Sequence, residues 1–216
     1  MRLTLFDLDG TLTRRDTEME WTQLLGERGL IDPTPHDQFN EDYRRGELDL
    51  DAYFAWYSAI LTAHPRATLD ALREVLVHER MLPSVPPVAR EWIASARGDS
   101  DAVLLVTASN QFLTEPIGDA LGFDATLGTR YGERDGAFTG EQVGPPCFRE
   151  GKQTHVHDWL GSRGLDWESV THSRFYSDSH NDLPLLEAVD EAIVVDPDPR
   201  LSARAAERGW RAVSLG

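Results

Sequence analysis

Two kinds of hydrophobic spacing divide the chain, and the change between them falls near residue 83. Beyond that point, short apolar runs alternate with stretches whose apolar residues recur every three or four positions. The runs are typical of buried strands and the stretches of helices. With the run at 3–7, the predicted strands are 102–107, 125–128, 173–177, 191–195 and 211–214. This alternation predicts an α/β fold with a doubly wound, Rossmann-like parallel sheet.

The segment between the first two strands has a different pattern. Its apolar residues follow helical spacing at about 16–29, 36–45, 49–62 and 68–79. A cluster of prolines that begins at Pro83 ends it. We therefore predict a small all-helical cap domain, residues 15–82, inserted after the first strand. The catalytic core is then made of residues 1–14 and 83–216.

The charge of the chain limits its partners. The formal net charge is −16, and nucleic acids and anionic membranes bind basic surfaces, so neither is an expected partner. An anionic small molecule would need local positive charge at its site. Of the 21 basic residues all but one are arginine, and Lys152 is the single lysine. Arginine cannot replace lysine where a compact ammonium must reach one point, so Lys152 is a candidate functional residue.

The cysteine content and the lengths of the apolar runs indicate a cellular compartment. Cys147 is the single cysteine, which rules out an intrachain disulfide and fits a reducing compartment. The sequence has neither a signal-peptide pattern nor an apolar run of about 18 residues. We therefore expect a cytoplasmic protein with no membrane contact, and both a monomer and a homodimer stay open.

Polar segments follow three of the predicted strands. They are Asp7-Leu8-Asp9-Gly10-Thr11, Thr107-Ala108-Ser109-Asn110 and Asp178-Ser179-His180-Asn181-Asp182. Because ligands of open parallel sheets bind beyond the carboxyl ends of the strands, these side chains are expected to meet. Crowded carboxylates repel one another unless a cation lies among them, and their oxygens are ligands that Mg²⁺ prefers. The sequence therefore predicts a Mg²⁺ site there.

Two aspartates separated by one residue can divide the work of phosphoryl transfer. One carboxylate attacks phosphorus and forms an aspartyl phosphate, while the other handles the proton of the leaving group. The phosphoryl oxygens also need donors. Thr107, Lys152 and the N–H groups at the start of the helix after Thr107 are candidates for that task.

These segments resemble, in the same order, the four motifs of the haloacid dehalogenase superfamily. Asp7–Thr11 is similar to the first motif, Thr107 to the second, Lys152 to the third and Asp178–Asp182 to the fourth. The helical insertion after the first motif resembles the cap of the phosphoserine-phosphatase-like branch. The resemblance covers the whole chain and implies a phosphohydrolase that works through a phosphoaspartate intermediate on a small phosphate ester.

The resemblance also implies catalytic roles. Asp7 is expected to be the nucleophile and Asp9 the general acid and base. Thr107 and Lys152 are expected to bind the phosphoryl group. A motif of the dehalogenase type contains the nucleophile but lacks the second aspartate. The presence of Asp9 therefore favours phosphoryl transfer.

The same resemblance implies a metal site. Asp7, the backbone carbonyl of Asp9 and Asp178 are expected to hold Mg²⁺. Asp182 is expected to support the water shell of the metal and to orient Lys152.

The cap is expected to select the ester. Phosphoserine phosphatases carry a carboxylate for the substrate amine nine residues after the nucleophile, where this chain has Asp16; a helix N-cap is the alternative role. Tyr57 aligns with the arginine that clamps the substrate carboxylate, and tyrosine cannot make that bidentate contact. Ser109 and Asn110 are further substrate-binding candidates. We therefore favour an amine-bearing ester without a carboxylate, such as histidinol phosphate, with phosphoserine next.

Other functions stay open. A phosphotransferase or phosphomutase would use the same residues, and the sequence does not reveal the acceptor. A non-catalytic module on the same fold would bind a phosphate group without turnover. Hydrolysis of an aryl phosphate would distinguish an enzyme from such a module. A receiver-like switch is disfavoured, because it needs neither a large helical cap nor an acid such as Asp9.

Overall fold

The computed structural model describes the backbone of residues 1–216 and the side chains of this chain other than that of Arg44. In chain order the strands are β1 (Arg2–Phe6), β2 (Ala102–Asn110), β3 (Ala125–Thr129), β4 (Tyr131–Arg134), β5 (Ala137–Gln142), β6 (His172–Ser177), β7 (Glu191–Val195) and β8 (Arg211–Val213). The main sheet has the order β3-β2-β1-β6-β7-β8, and its neighbours pair in parallel. The predicted doubly wound parallel sheet is confirmed.

The order of the strands reverses at β1. The chain adds β2 and β3 on one side of β1 and then crosses over to add β6, β7 and β8 on the other. At the carboxyl end of β1, Phe6 pairs with Leu105 of β2 and with Tyr176 of β6. Such a reversal leaves a crevice beyond the strand ends, where ligands of this fold class bind.

Helices cover both faces of the sheet. They are α1 (Thr17–Glu27), α2 (Thr34–Arg45), α3 (Leu50–Ala63), α4 (Arg66–Val75), α5 (Leu82–Ser84), α6 (Pro87–Asp99), α7 (Gln111–Leu121), α8 (Glu150–Gly161), α9 (Leu183–Ala188) and α10 (Pro199–Arg208). A π-helical turn, Leu76–Met81, joins α4 to α5, and 3₁₀ turns lie at Trp167–Ser169 and His180–Asp182. Throughout the described chain, each helix is too short or too polar to cross a bilayer.

The insertion between β1 and β2 is helical, as predicted. Asp16 caps α1 by accepting the Met19 N–H at 2.8 Å, and Asp49 caps α3 by accepting the Ala52 N–H at 3.0 Å. The boundaries of the cap at residues 15 and 82 stay a prediction.

Apolar side chains form one cluster on each face of the sheet. Leu3 and Leu5 point to one face and Phe6 to the other, as the alternation of a strand requires. The cluster around Phe6 continues into the insertion through Trp21 of α1 and Tyr57 of α3, which are both fully buried. The helices of the insertion therefore share their apolar core with the sheet.

A β-hairpin of the core packs on the insertion. Strands β4 and β5 pair antiparallel, and Asp135 and Gly136 between them have φ values of 53° and 75°. Positive φ at both central residues is the geometry of the hairpin turn that Asp-Gly favours. The Ser58 hydroxyl of α3 donates to the carbonyl of Gly140 in β5. The hairpin thus holds α3 against the core.

Candidate active site

The carboxyl ends of β1, β2 and β6 lie side by side and bring three polar segments together. The Ser109 hydroxyl, at the end of β2, donates to Oδ2 of Asp9 at 2.7 Å. The Thr11 hydroxyl donates to Oδ2 of Asp7 at 3.2 Å and to Oδ1 of Asp178 at 3.0 Å. Hydrogen bonds therefore link the segment after β1 to the segments after β2 and β6.

Lys152 is the buried centre of this site. Its Nζ donates to Oδ1 of Asp7 and to Oδ2 of Asp182, each at 2.7 Å, and the residue is 2% exposed. The Ser177 hydroxyl donates to the same Oδ2 of Asp182 at 2.7 Å. Burial opposes the charged ammonium, yet the charges of Asp182 and Asp7 outweigh it and raise the pKa of Lys152. The lysine therefore carries the positive charge that an acidic chain needs at an anion site.

Burial also governs the two aspartates after β1. It raises the pKa of Asp7 to about 6, although the Lys152 ammonium opposes the shift. The Asp9 carboxylate accepts the N–H and hydroxyl of Thr17, besides the hydroxyl of Ser109. Burial, and next the charge of Asp16, raise the pKa of Asp9 well above its usual value. Asp9 is thus a fixed carboxyl that holds its proton more readily than an exposed one.

The oxygen atoms around Asp178 fit a hard divalent cation. Among the described residues, His, Cys, Asp and Glu side chains do not form a group of three around one metal position. A cation here therefore needs carbonyl or water oxygens besides Asp7 and Asp178, as Mg²⁺ commonly has. Burial, and next the charge of Asp7, raise the pKa of Asp178 to about 8, a repulsion that a cation would relieve. Position 10 must be glycine for Asp178 to keep its place, because at a φ of 80° a Cβ there would lie 2.1 Å from Oδ2 of Asp178.

A family model matches this architecture. It describes a haloacid dehalogenase-like hydrolase, and the match covers residues 4–187, which include the segments after β1, β2 and β6 and Lys152. The chain belongs to this family. The four ordered motifs thus identified the haloacid dehalogenase-like family correctly.

Similar proteins agree with this assignment. A histidinol-phosphatase of Neisseria meningitidis serogroup C (strain 8013) is 35% identical over 213 residues, which are 96% of each chain. A solved structure of a Bordetella pertussis Tohama I protein of unknown function has 38% identity and a TM-score of 0.93, over 100% of this chain and 99% of that one. A substrate-bound phosphoserine phosphatase shares the fold, with a TM-score of 0.70 at 18% identity over 98% and 92%. The predicted enzyme class, a phosphatase, and the phosphoserine-phosphatase-like branch are confirmed.

The second motif of this haloacid dehalogenase-like chain lies on a longer strand than predicted. Strand β2 was expected to end at Thr107, but it continues to Asn110 after a register shift that follows Val106. The Thr107 hydroxyl accepts the Ser109 N–H at 3.2 Å, and its own proton can reach another acceptor. Oδ1 of Asn110 accepts the Phe112 N–H at 3.0 Å and caps α7. In the described structure, the Nδ2 of Asn110 is buried without a hydrogen-bond partner.

The two predicted cap contacts lie in different surroundings. Asp16 is exposed and caps α1, which is the alternative role that the sequence allowed. Tyr57 is fully buried, and among the described residues its hydroxyl has no hydrogen-bond partner. Their roles as substrate contacts of this haloacid dehalogenase-like chain stay predictions.

Thr17 and Glu18 contact the site but were not singled out from the sequence. Thr17 donates twice to Asp9, and an Oε1 of Glu18 accepts the Asn110 N–H at 3.0 Å. A sequence signal exists for Glu18, because it stands three residues before the buried Trp21 and so lies on the buried face of α1. An acidic residue in the first turn of a helix is more commonly read as a solvated partner of the helix dipole.

Proposed function

We propose that this chain hydrolyses a phosphomonoester through a phosphoaspartate on Asp7. The observation that carries the proposal is the buried contact of Asp7 with Lys152, beside a fixed Asp9 at the crevice of the sheet. A nucleophile and a cation thus share a hydrogen bond, and the proton donor follows the nucleophile by two residues. Family membership and the phosphatases among the relatives support the same chemistry.

In the first step, a carboxylate oxygen of Asp7 forms a bond to phosphorus while the bond from phosphorus to the ester oxygen breaks. The Asp9 carboxyl gives its proton to the departing oxygen, which leaves as an alcohol. Its raised pKa supports the protonated form that this step needs. The Lys152 ammonium and the Thr107 hydroxyl donate to the phosphoryl oxygens, whose charge develops during transfer.

In the second step, the phosphoaspartate is hydrolysed. Asp9 is now a carboxylate, and it takes a proton from a water molecule that attacks phosphorus. The bond between phosphorus and the Asp7 oxygen breaks, so phosphate leaves and both aspartates return to their starting states. Thr17 and Ser109 hold the Asp9 carboxylate in one orientation during both steps.

The residues that would hold Mg²⁺ are Asp7 and Asp178, together with the backbone carbonyl of Asp9. When bound, the ion neutralises charge on the phosphoryl oxygens and on the carboxylates around them. Asp182 accepts from Lys152 and Ser177, so it keeps the ammonium directed at Asp7. A cytoplasmic location remains part of the proposal.

Magnesium is expected to stabilise the protein more at alkaline than at acidic pH. In the metal-free protein the pKa of Asp7 is about 6 and that of Asp178 about 8, both above the ordinary 3.8. The folded state therefore keeps protons that the unfolded chain releases, so metal-free stability falls as pH rises through this range. Mg²⁺ at about 100 times its Kd should raise Tm by about 5–10 °C at about pH 8 and much less at about pH 5.

Thermal melts with Mg²⁺ and with EDTA measure this effect. Asp178→Asn should lose most of the alkaline increment, whereas Asp190→Asn, whose carboxylate binds Ser173 at the opposite end of β6, should keep it. Equal increments at both pH values, or an unchanged increment in Asp178→Asn, would contradict the metal assignment.

The substrate is proposed to be a small, amine-bearing phosphate ester. Histidinol phosphate is favoured, and the 35% identity to a histidinol-phosphatase over almost the whole of both chains supports it. Phosphoserine is next, because phosphoserine phosphatases share the fold. Tyr57 stands where those enzymes are expected to carry the arginine for the substrate carboxylate, which favours an ester without one.

A panel of phosphomonoesters tests both the chemistry and the substrate. We expect Mg²⁺-dependent phosphate release with the highest kcat/KM for histidinol phosphate, lower values for phosphoserine, sugar phosphates and nucleotides, and none in EDTA. Phosphate release that resists EDTA would contradict the role of the metal. A preference for sugar phosphates would contradict the amine-bearing substrate and leave the chemistry standing.

A further inference from the structure

Glu18 is a half-buried acid whose partners carry no positive charge. In the described chain its carboxylate accepts the Asn110 N–H at 3.0 Å on Oε1 and the Tyr53 hydroxyl on Oε2, and Lys, Arg and His side chains form no ion pair with it. The residue is only partly exposed. Burial, and next the charge of Asp16, raise the pKa of Glu18 well above its usual value. Burying a carboxyl in this position lowers the free energy of unfolding unless a bound ligand compensates for the lost hydration.

The position of Glu18 is fixed relative to Asp9. Two adjacent residues of α1, Thr17 and Glu18, face two adjacent residues of β2, Ser109 and Asn110. Thr17 and Ser109 hold the Asp9 carboxylate, and the N–H of Asn110 donates to Glu18. The charge of Asp9 also acts to raise the pKa of Glu18, so the two carboxyls lie near each other.

One aromatic residue contacts the Glu18 carboxylate, and two more rings follow it in a chain. Tyr53 donates to the carboxylate, and the Tyr53 and Tyr57 ring centroids are 6.1 Å apart. Tyr57 stacks on Tyr131 with a centroid distance of 6.0 Å, and the pKa of Tyr131 is raised by burial and next by the charge of Glu18. Such rings favour a cation beside their faces and reject an anion.

Two polar groups near Glu18 are poorly satisfied. The Tyr57 hydroxyl and the Nδ2 of Asn110 are buried, and neither makes a hydrogen bond of good geometry among the described residues. The side chain of Asn110 nevertheless acts to lower the pKa of Tyr57, so the two groups lie close to each other and satisfy one another only in part. A buried polar atom without a well-placed partner is costly, so these atoms point to a ligand that completes them. The hydroxyl can accept from an ammonium, and the amide can donate to a nearby nitrogen or oxygen of the same molecule.

We infer that Glu18, together with Tyr53, Tyr57 and Tyr131, binds the ammonium group of an amino-alcohol phosphate. This inference rests on the proposed function and adds its specificity-determining residue. An ammonium two carbons beyond the ester oxygen would lie close to Asp9, and Glu18 is near Asp9. Its charge would favour the ionised form of Glu18, which burial alone opposes. Asp16 caps α1 and its charge acts on Glu18, but the direct contact is assigned to Glu18.

The test compares histidinol phosphate with its deaminated analogue, 3-(imidazol-4-yl)propyl phosphate, because the two differ only in the amine. Glu18→Gln should lower kcat/KM for histidinol phosphate about 10- to 100-fold, as the loss of a charged hydrogen bond predicts, with less than a threefold change for the analogue. Glutamine keeps the shape of the side chain and can still accept the Asn110 N–H. Glu20→Gln, on the same helix but paired with Arg15 and Arg80, is the matched control and should change neither substrate.

Each other outcome overturns the inference. Equal losses on both substrates would give Glu18 a packing role, and a larger loss in Asp16→Asn would return the amine contact to Asp16. A wild-type enzyme that does not discriminate between the pair would exclude an ammonium site, while release from p-nitrophenyl phosphate would still support the proposed phosphatase. If no ester is hydrolysed, the proposed function fails, and calorimetry with histidinol decides separately: equal affinity for wild type and Glu18→Gln would overturn the ammonium site.

Discussion

Replacing Asp7 with asparagine is expected to abolish phosphate release while leaving the protein folded. The amide cannot form the acyl phosphate, and loss of a covalent nucleophile costs on the order of 10⁴-fold or more in kcat. The side chain keeps its shape, and its oxygen can still accept from Lys152. Because burial raises the pKa of Asp7 to about 6, removing its charge also removes a cost of folding. The loss should therefore appear in turnover and not in Tm.

Quenched-flow trapping distinguishes the nucleophile from other roles. Wild-type protein mixed with ³²P-labelled ester and quenched in acid should carry one label that hydroxylamine removes, as an acyl phosphate requires. Asp7→Asn should carry none. Asp190→Asn, at the other end of the sheet, should label as the wild type does. Label or turnover that persists in Asp7→Asn would remove Asp7 from the chemistry, whatever the fold of the variant.

The fold was predictable because its signals are local. The apolar runs that became β1, β6 and β7 are continuous, as strands buried on both faces must be, and each was predicted to within about two residues. The Asp135-Gly136 turn is encoded in two residues. The extension of β2 to Asn110 was missed, since a register shift depends on the neighbouring strand and not on the apolar pattern.

The candidate site was predictable only in part, for the same reason. Asp7, Lys152 and Asp178 belong to segments whose order along the chain resembles known motifs, and the sheet then brings their side chains together. The surroundings of Glu18 depend on how α1 packs against β2 and α3, which spacing along the chain does not reveal. Counting nine residues from the nucleophile selected Asp16, whose side chain caps α1, and its role as a substrate contact stays a prediction.

Replacing Lys152 with methionine is expected to damage both activity and stability. The ammonium is 2% exposed and lies between Asp7 and Asp182, so its removal leaves two carboxylates buried without their cation. Breaking a buried ion pair from one side costs about 3–5 kcal/mol. The deficit should shrink as pH falls, because protonation of Asp7, whose pKa burial raises, relieves the repulsion. Arg204→Met, which removes a surface cation from Glu187, should change the free energy of unfolding far less, because solvent screens exposed ion pairs.

A double variant separates the structural role of Lys152 from its chemical one. Lys152→Met with Asp182→Asn removes one cation and one anion, so the free energy of unfolding should recover most of the loss. Turnover should stay at the level of Lys152→Met, since the phosphoryl oxygens still lack their ammonium. Lys152→Arg should also fail in turnover, because a planar guanidinium cannot place a point charge between two carboxylates that each lie 2.7 Å from Nζ. Recovery of activity along with stability in the double variant would mean that Lys152 serves the fold alone.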